Sequence, residues 1–369
     1  MDAVTLFLCG DVMTGRGIDQ VLPHPGKPHL YESYVRSALG YVEIAERANG
    51  PIARPVDYAY IWGDALEEMA RAQPAARIVN LETAVTTSEE AWPRKGIHYR
   101  MHPANVPCLT AARIDCCVLA NNHVLDWGHA GLQETLDCLH AAGLRTAGAG
   151  RDAAAAAAPA LIDLPAGNRV LVFAWGMESS GVTSSWAALP DRAGVSFLRD
   201  FSTSSLHAVA QRIAQSRRED DITVASIHWG GNWGYGVDPA QRDFAHRLVD
   251  EAGVDIVHGH SSHHPLGVEV YHGKLVLHGC GDLINDYEGI GGYEEFNPDL
   301  GLLYFPTLEA GTGRLRRLAM AAVQRRRFRL ERAGARQTQW LADMLTREGR
   351  QLGTSAERRD EHRLTLRWE

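Results

Sequence analysis

The stretch Leu119–Leu139, LANNHVLDWGHAGLQETLDCL, carries the two signals that decide the fold. It begins inside the apolar, β-rich run Cys116–Ala120, and its second half repeats apolar residues with the period of an amphipathic helix. Between the two lie two amides and an imidazole, Asn121, Asn122 and His123. The pattern predicts a strand and then a helix, with polar, metal-competent side chains where the strand ends.

Other short apolar runs along the chain also end in polar residues. These candidate strands are Thr5–Cys9, Arg77–Leu81, Arg169–Ala174, Ile222–Ile227, Asp255–Val257 and Lys274–Leu277. The helical patterns between them are Trp62–Ala72, Gly131–Ala142, Ser204–Ser216 and Pro239–Ala252. Strands that alternate with helices predict an α/β fold with buried strands, in which ligands bind at the carboxyl ends of the strands.

The composition of the 369 residues is that of a globular protein, with 45% hydrophobic and 22% charged residues. The net charge is -8 and no Lys/Arg-rich run is paired with aromatic residues, so we expect no nucleic-acid partner. The apolar run Val4–Leu8 is too short for a signal peptide, and no segment approaches the roughly 18 apolar residues of a membrane span. We therefore expect a cytoplasmic protein without a membrane anchor. The six cysteines lack CxxC spacing and are predicted to be reduced, mostly buried thiols.

The C-terminal part of the chain is rich in arginine. Its patterns predict a strand at Leu315–Val323, an amphipathic helix at residues 336–352 and a closing strand at His362–Trp368. We therefore divide the chain into a main domain, residues 1–306, and a small C-terminal extension, residues 307–369, packed on it.

Polar residues at or near the ends of different candidate strands form the candidate site. They are Asp11, Glu82, Asn122, His123, His228, His260 and His263. Helix capping explains two or three such residues but not all of them. A carboxylate such as Glu82 can bridge two cations. Mixed oxygen and nitrogen ligands favour Mn, Fe or Zn, and Mg or Ca if some histidines are not engaged. His123, beside Asn122, is interpreted as an acid/base group rather than a ligand.

Five motifs occur in a fixed order along the chain. They are GDVMTGR (Gly10–Arg16), NLETAVT (Asn80–Thr86), ANNHVLDWG (Ala120–Gly128), HWGGNWGY (His228–Tyr235) and GHSSHHPLGVEVYHGKLVLHGCGDLI (Gly259–Ile284). In this order they resemble the CapA family, which is associated with poly-γ-glutamate capsule synthesis and resembles calcineurin-like metallophosphoesterases. The resemblance covers roughly residues 4–290. It implies an α/β fold, a four-layer α/β/β/α metallophosphoesterase-like sandwich with a metal site at the strand ends.

The resemblance also implies roles for individual residues. The implied metal-ligand positions are Asp11, Glu82, Asn122, His228, His260 and His263, and His123 falls on the catalytic histidine. Three departures stand out. Met13 stands two residues after Asp11, where phosphoesterases have a histidine and the CapA family does not, which should leave one metal position short of a ligand. The GHHPH motif reads GHSSH here, and LGNF reads GCGD, which adds Asp282 near the site.

Further residues are candidates for binding the substrate. The resemblance makes Arg16 a plausible anion clamp, with a surface ion pair as the alternative. Trp229, Trp233 and Tyr235 follow His228 and are either an aromatic wall or packing residues. Arg100 lies in a segment that fits a lid or a contact to a substrate carboxylate, although an exposed charge explains it equally well.

Three hypotheses for the function follow. A metal-assisted hydrolase would cleave a phosphoester or amide bond. An isomerase would exchange a proton at an α-carbon. A third role, without catalysis, is polymer export or assembly. The expected cofactor is one or two divalent ions (Mn, Fe, Zn, Mg or Ca), essential or dispensable, with no organic cofactor.

We favour the isomerase, on a resemblance to CapA-like peptide epimerases of lasso-peptide biosynthesis. Such an enzyme would invert the α-carbon of a C-terminal, aromatic residue of a ribosomal precursor peptide. His123, Glu82 and Asp11 are its candidate catalytic residues, and the peptide is its expected partner. A metal-dependent hydrolase acting on an anionic or poly-γ-glutamate-like substrate is the alternative. The oligomeric state is left open.

Overall fold

The computed structural model describes residues 3–164 and 167–369, so residues 1–2 and 165–166 of the main domain predicted above lie outside it. The strands are β1 (Ala3–Val12), β2 (Ala76–Leu81), β3 (Ala84–Val85), β4 (Arg100–Met101), β5 (Cys116–Val118), β6 (Arg145–Ala147), β7 (Ala149–Gly150), β8 (Ala160–Asp163), β9 (Arg169–Gly176), β10 (Gly194–Val195), β11 (Ile222–His228), β12 (Ile256–His260), β13 (Val268–Tyr271), β14 (Lys274–Leu277), β15 (Asp282–Ile284), β16 (Leu300–Glu309), β17 (Leu315–Arg326), β18 (Arg329–Arg332), β19 (Thr354–Arg358) and β20 (Arg363–Trp368). The helices are α1 (Gly17–Val21), α2 (Ala38–Asn49), α3 (Ala65–Ala72), α4 (Pro107–Ala111), α5 (Gly128–Ala141), α6 (Ala153–Ala157), α7 (Thr203–Ser216), α8 (Pro239–Ala252) and α9 (Ala335–Gly349).

Two large sheets organise the chain. The first sheet has ten strands, in the order β19-β20-β17-β16-β1-β2-β5-β6, with β15 also paired to β1 and β18 to β17. The second sheet has six strands, in the order β13-β14-β12-β11-β9-β8. The strands β1, β2, β5 and β6 run parallel, as do β9, β11, β12 and β14. Every residue of β9 and of β11 is buried, as expected for parallel strands covered on both faces.

The alternation of side chains along each strand divides the interior into layers. On β1, Leu6 and Leu8 face the second sheet and pack with its Val172 and Val224. The intervening Phe7 faces the opposite side, in the core formed with helices α2 to α5. The outer face of the second sheet packs in the same way against α7 and α8. The result is a four-layer α/β/β/α sandwich, which confirms the predicted fold class.

Most predicted elements occur within a few residues of their expected bounds, and one helix is interrupted. The pattern Trp62–Ala72 predicts one helix, but a short 3-10 turn ends at Trp62 and α3 begins at Ala65. Gly63 lies between them with a φ of 44°, and a Cβ there would approach the carbonyl oxygen of Leu330 to 2.1 Å. The close contact with β18 therefore breaks the helix where the periodicity alone would continue it.

The Arg-rich C-terminal segment extends the first sheet. The proposed boundary at residue 306 falls inside β16, which pairs along its length with β17. Helix α9 places Leu341 and Leu345 in the core between the two sheets. The predicted strand, helix and strand of this segment are present as β17, α9 and β20. The division of the chain into two domains stays a prediction.

The cysteines agree with the expectation from the sequence. All six cysteines are free, and five of them are buried. Burial raises the pKa of the Cys9 thiol well above its ordinary value, so this side chain stays protonated and apolar. Within residues 3–164 and 167–369, no helix combines the length and the apolar character that crossing a bilayer requires.

One close approach places the loop before β15 against the end of β1. Asp282 pairs with Asp11 in parallel register, and the Asp11 N–H donates to the Gly281 carbonyl oxygen at 3.2 Å. A Cβ on Gly10 would lie 1.8 Å from that oxygen, and Gly281 itself has a φ of 75°. Only glycine at position 10 allows the two segments to meet, and their meeting brings two carboxylates together.

We predict that Gly10→Ala lowers the free energy of unfolding by about 3 kcal/mol, because the added methyl group overpacks a contact between two backbones. Urea denaturation followed by circular dichroism measures the loss. Gly96→Ala is the matched control, since a Cβ at Gly96 meets no atom within 4 Å. Equal stability of the two variants would contradict the role of Gly10.

Candidate metal centre

The candidate centre lies where parallel strands of both sheets end. Asp11 is near the end of β1, Glu82 follows β2, and His228 and His260 end β11 and β12. The structure brings together there all the residues that the sequence proposed, namely Asp11, Glu82, Asn122, His123, His228, His260 and His263. Their individual roles stay predictions.

A buried amide links the carboxylates of the two neighbouring strands. Asn80 Nδ2 donates to Asp11 Oδ1 at 2.7 Å and to Glu82 Oε2 at 3.2 Å. Asn121 Nδ2 in turn donates to Asn80 Oδ1 at 3.0 Å. Asn80 was not among the predicted site residues, although an amide inside the otherwise apolar run Arg77–Leu81 was a visible signal. This chain of amides holds the carboxylates in fixed orientations.

A chain of hydrogen bonds fixes the tautomers of the buried histidines. His258 Nε2 lies 2.8 Å from the Cys9 carbonyl oxygen, which can only accept, so Nε2 carries the proton. The Ser226 hydroxyl, 3.0 Å from His258 Nδ1, therefore donates to that nitrogen. Because the hydroxyl hydrogen of Ser226 is used in that bond, its oxygen accepts a hydrogen bond from His260 Nε2 at 2.9 Å. Since burial lowers the pKa of His260 well below its ordinary value, its ring is neutral and its Nδ1 carries a lone pair.

That lone pair determines what His228 presents to the centre. His228 Nδ1 lies 2.8 Å from His260 Nδ1 and must donate to it unless both nitrogens bind a cation. With Nδ1 protonated, the neutral His228 has a lone pair on Nε2, which faces Asn122 Oδ1 at 3.2 Å and Glu82 Oε1 at 4.0 Å. Three acceptors thus converge on one region. Such an arrangement is stabilised by a cation.

The carboxylates indicate the same need for positive charge. Asp11 is fully buried, and its Oδ2 has no hydrogen-bond partner. Burial, and then the nearby Asp282 carboxylate, raise the pKa of Asp11 to about 7. Burial and the Asp11 carboxylate likewise raise the pKa of Glu82 well above its ordinary value. These shifts express the cost of keeping clustered carboxylates ionised without a cation.

Two groups of side chains could each hold a metal ion, and they share Asp11. The imidazole-rich group is Asp11, His228 and His260, and the carboxylate-rich group is Asp11, His263 and Asp282. Within each group the ligand atoms lie within 4.8 Å of one another. Mixed carboxylate and imidazole donors suit a divalent transition metal. The residues therefore fit the metal site that the sequence predicted.

His123 lies beside this centre and is oriented by a carboxylate. Its Nδ1 is 2.7 Å from Asp126 Oδ2, which fixes the proton on Nδ1. The Lys95 ammonium is 3.1 Å from Nδ1 but donates to Asp126 and to the Asn122 carbonyl oxygen. Burial, and then Lys95, lower the pKa of His123 to about 4, so the ring is neutral. Its free Nε2 lies 3.8 Å from Glu82 Oε1. Asp126 and Lys95 were not predicted as partners of His123.

A cavity of about 490 Å³ opens beside the centre, with His263 and Asn285 in its wall. Five aromatic side chains also line it, namely Tyr34, Tyr41, Trp233, Tyr287 and Tyr293. The rings of Trp233 and Tyr293 stack with their centroids 3.9 Å apart. A volume of this size accommodates a ligand about as large as a di- or tripeptide.

Two of the predicted substrate-binding residues line this cavity. Trp233 forms part of its wall. Arg16 also reaches it, but its guanidinium already donates to Asp286, Glu32 and the Tyr41 hydroxyl. This buried ion-pair network is a constraint that the motif did not reveal, and it leaves Arg16 little capacity to clamp an anion.

The other three predicted substrate-binding residues are packed against other parts of the protein, outside the cavity wall. They are Trp229, Arg100 and Tyr235. Trp229 is 2% exposed, packs against the helices of the second sheet and donates from Nε1 to the His278 carbonyl oxygen. It is a packing residue and not part of an aromatic wall. Arg100 donates to two backbone carbonyl oxygens, and its guanidinium lies 3.9 Å from the ring centroid of Trp127. Tyr235 is partly buried against His264 and Phe296. None of them is part of the cavity wall.

Residues 5–287 match the protein family described as bacterial capsule synthesis protein PGA_cap. This range spans well over half of the chain. The chain belongs to the PGA_cap family. The resemblance to CapA proteins is thereby confirmed, and every residue of the candidate centre, from Asp11 to Asp282, lies inside the matched range.

Individual PGA_cap relatives cover most of the chain. A probable polyglutamine synthesis accessory protein of Mycobacterium tuberculosis is 48% identical over 353 residues, which are 95% of this chain and 93% of the relative. The PGA biosynthesis protein CapA of Bacillus subtilis is 24% identical over 318 residues, 85% of this chain and 70% of that protein. Among solved structures, a novel phosphatase from Mycoplasma pneumoniae matches with a TM-score of 0.44 and 12% identity, covering 88% of this chain and 94% of the other.

We predict that Asp11→Asn makes the metal-free protein more stable and abolishes its stabilisation by metal. In EDTA at about pH 8, removing a buried charge with an unpaired oxygen should raise the free energy of unfolding by about 1–3 kcal/mol. Excess Mn²⁺ should then stabilise the wild type by about 2–3 kcal/mol but not the variant. Urea denaturation with and without Mn²⁺ measures both effects. Asp137→Asn, at an exposed carboxylate, should behave like the wild type. If Asp11→Asn kept the full response to Mn²⁺, Asp11 would not be a ligand.

Proposed function

We propose that this PGA_cap protein is a metal-dependent hydrolase that cleaves an amide bond in a glutamate-containing peptide or polymer. The observation that carries the proposal is the His123–Asp126 pair, which points an unprotonated Nε2 at the group of potential metal ligands. The amide substrate is inferred from two relatives, whose names refer to polyglutamine synthesis and PGA biosynthesis. The size and aromatic lining of the cavity suit a peptide-like substrate.

A divalent cation held by the centre would polarise the scissile carbonyl and lower the pKa of the attacking water. His123 Nε2 accepts a proton from that water as the oxygen adds to the carbonyl carbon. When the C–N bond breaks, His123 returns the proton to the departing amine, which leaves a carboxylate and an amine as products. Asp126 accepts from Nδ1 throughout and stabilises the imidazolium that forms between the two transfers. Tyr99 contributes by holding Asp126 through its backbone N–H at 2.7 Å.

The donor chemistry of the two groups narrows the choice of metal. The imidazoles of His228 and His260 favour Mn, Fe or Zn over Mg and Ca, which prefer an all-oxygen environment. The carboxylates of Asp11 and Asp282 suit harder cations. We therefore propose Mn or Fe as the metal, because either of them suits both the imidazole-rich and the carboxylate-rich group.

Peptide epimerisation, favoured from the sequence, is the second candidate. Its support is an acid next to a base: Glu82, whose pKa burial and the Asp11 carboxylate raise well above its ordinary value, and the neutral His123. However, these groups are only 3.8 Å apart. Two groups that act on opposite faces of an α-carbon, each about 3 Å from it, must be about 6 Å apart. Glu82 and His123 therefore reach the substrate from one side, which suits hydrolysis better than inversion by two bases.

We predict that His123→Ala lowers the kcat for peptide hydrolysis by a factor of about 10²–10⁴, the typical contribution of general acid–base catalysis. Asp126→Asn should cause a large part of the same loss, because it removes the acceptor that holds the Nδ1 proton. Release of amine from a panel of α- and γ-glutamyl peptides with Mn²⁺ measures the rate. His140→Ala is the control, since His140 is exposed on helix α5 and bonded to Thr146. Full activity of His123→Ala would remove His123 from the mechanism.

We also predict that the products will distinguish the two candidate reactions. In H₂¹⁸O, hydrolysis should place one ¹⁸O in the new carboxylate of a shortened peptide. In D₂O, epimerisation should instead add one deuterium at the α-carbon of a peptide of unchanged length. Mass spectrometry and chiral analysis of the same peptides resolve both outcomes. Uptake of α-deuterium without cleavage would replace the hydrolase by the epimerase.

A further inference from the structure

Position 13, two residues after Asp11, offers no good ligand to a hard divalent ion at the carboxylate-rich side of the centre. Met13 occupies the position two residues after Asp11 and is fully buried. A thioether is a poor ligand for Mn, Mg or Ca, so this position contributes nothing to a site for such ions. A centre with this sequence should therefore hold only one ion firmly, unless another side chain supplies the missing ligand.

Asp282 belongs to the carboxylate-rich group, together with Asp11 and His263. The parallel register of β1 and β15 sets Asp282 beside Asp11, and the close contact at Gly10 keeps the two segments in place. The side chain of Asp282 is fully buried. Asn285 Nδ2 donates to its Oδ2 at 2.7 Å, and Oδ1 is 2.9 Å from His263 Nδ1. Asn285 therefore orients the carboxylate while its Oδ1 faces His263.

The charge around Asp282 also indicates a cation. Arg325 is buried nearby, but it donates to the backbone carbonyl oxygens of Asp282 and Leu283 and not to a carboxylate. Asp11 Oδ2, in the same group, is buried and has no partner. Two buried carboxylates therefore face a single imidazole. The unpartnered oxygen of Asp11 leaves a lone pair available to a ligand.

We propose that Asp282 replaces the missing ligand and, with Asp11 and His263, holds a second divalent ion. This inference rests on the proposed metal centre but not on the reaction it performs. The first ion would bind the imidazole-rich group of His228 and His260, and Asp11 would be shared. Because this position offers two carboxylates and one imidazole, it should accept Mn²⁺ or Mg²⁺ more readily than the first.

Metal stoichiometry tests the proposal without an activity assay. The full chain is stripped with EDTA, reloaded with Mn²⁺, desalted and analysed for metal per chain, with isothermal titration to count the sites. The wild type should bind two Mn²⁺ and Asp282→Asn should bind one. Electron paramagnetic resonance should show a spin-coupled Mn²⁺ pair in the wild type and an isolated Mn²⁺ in the variant. Asp191→Asn, an exposed carboxylate, should still bind two.

A second variant keeps the test decisive if Asp282→Asn folds poorly. His263→Gln should also bind a single Mn²⁺, whereas His228→Gln should lose the other ion and keep the one at Asp282. Two ions retained in both Asp282→Asn and His263→Gln would overturn the proposal, as would a wild type that binds fewer than two. The hydrolase proposal fails separately, since a protein that binds two ions and cleaves no peptide supports Asp282 and refutes only the reaction.

Discussion

A hydrogen bond between the two sheets sets the chemistry of the strand ends. His258, on β12 of the second sheet, donates to the carbonyl oxygen of Cys9 on β1 of the first. Both groups are fully buried, and leaving either unpaired would cost about 1–3 kcal/mol. His258 is therefore the donor in this bond. That choice in turn determines that Ser226 donates to His258 and accepts from His260. The packing of one sheet on the other thus also decides which lone pairs face the candidate centre.

The same packing of the two sheets brings carboxylates together where their charges destabilise the fold but are available to a ligand. Three buried carboxylates, Asp11, Glu82 and Asp282, meet at the strand ends with few donors around them. Asn80 and Asn285 supply neutral hydrogen bonds, which orient the carboxylates but do not neutralise them. By contrast, the buried Arg16 is surrounded by carboxylates of its own and contributes its charge elsewhere. The fold gathers these three carboxylates at the strand ends, which is typical of a site whose polar groups serve a ligand.

The sequence predicted which residues lie at the strand ends better than it predicted the hydrogen bonds between them. Buried strands leave a continuous apolar signal, and polar residues directly after them are visible without coordinates, so Asp11, Glu82 and His228 could be found. Hydrogen-bond partners that come together only when the chain folds back on itself could not be found in this way. Asp126 is three residues from His123 and looks like a turn residue, and its contact with Lys95 needs the segment around residue 95 to fold back. Trp229 was ambiguous for a similar reason, because one residue of strand phase decides whether a ring faces the core or the cavity.

The candidate metal ligands and the cavity wall differ in how far the family match covers them. The candidate ligands and His123 all lie within residues 5–287, the part that matches the family. Much of the cavity wall lies beyond it, including Ile290, Tyr293 and Gln324. That part of the chain also supplies β17 and β20 of the first sheet, so the wall cannot change freely without disturbing the fold. The mycobacterial relative aligns over 95% of the chain and so includes most of this wall. The side chains that could hold a metal thus lie inside the matched range, whereas about half of the residues of the cavity wall lie outside it.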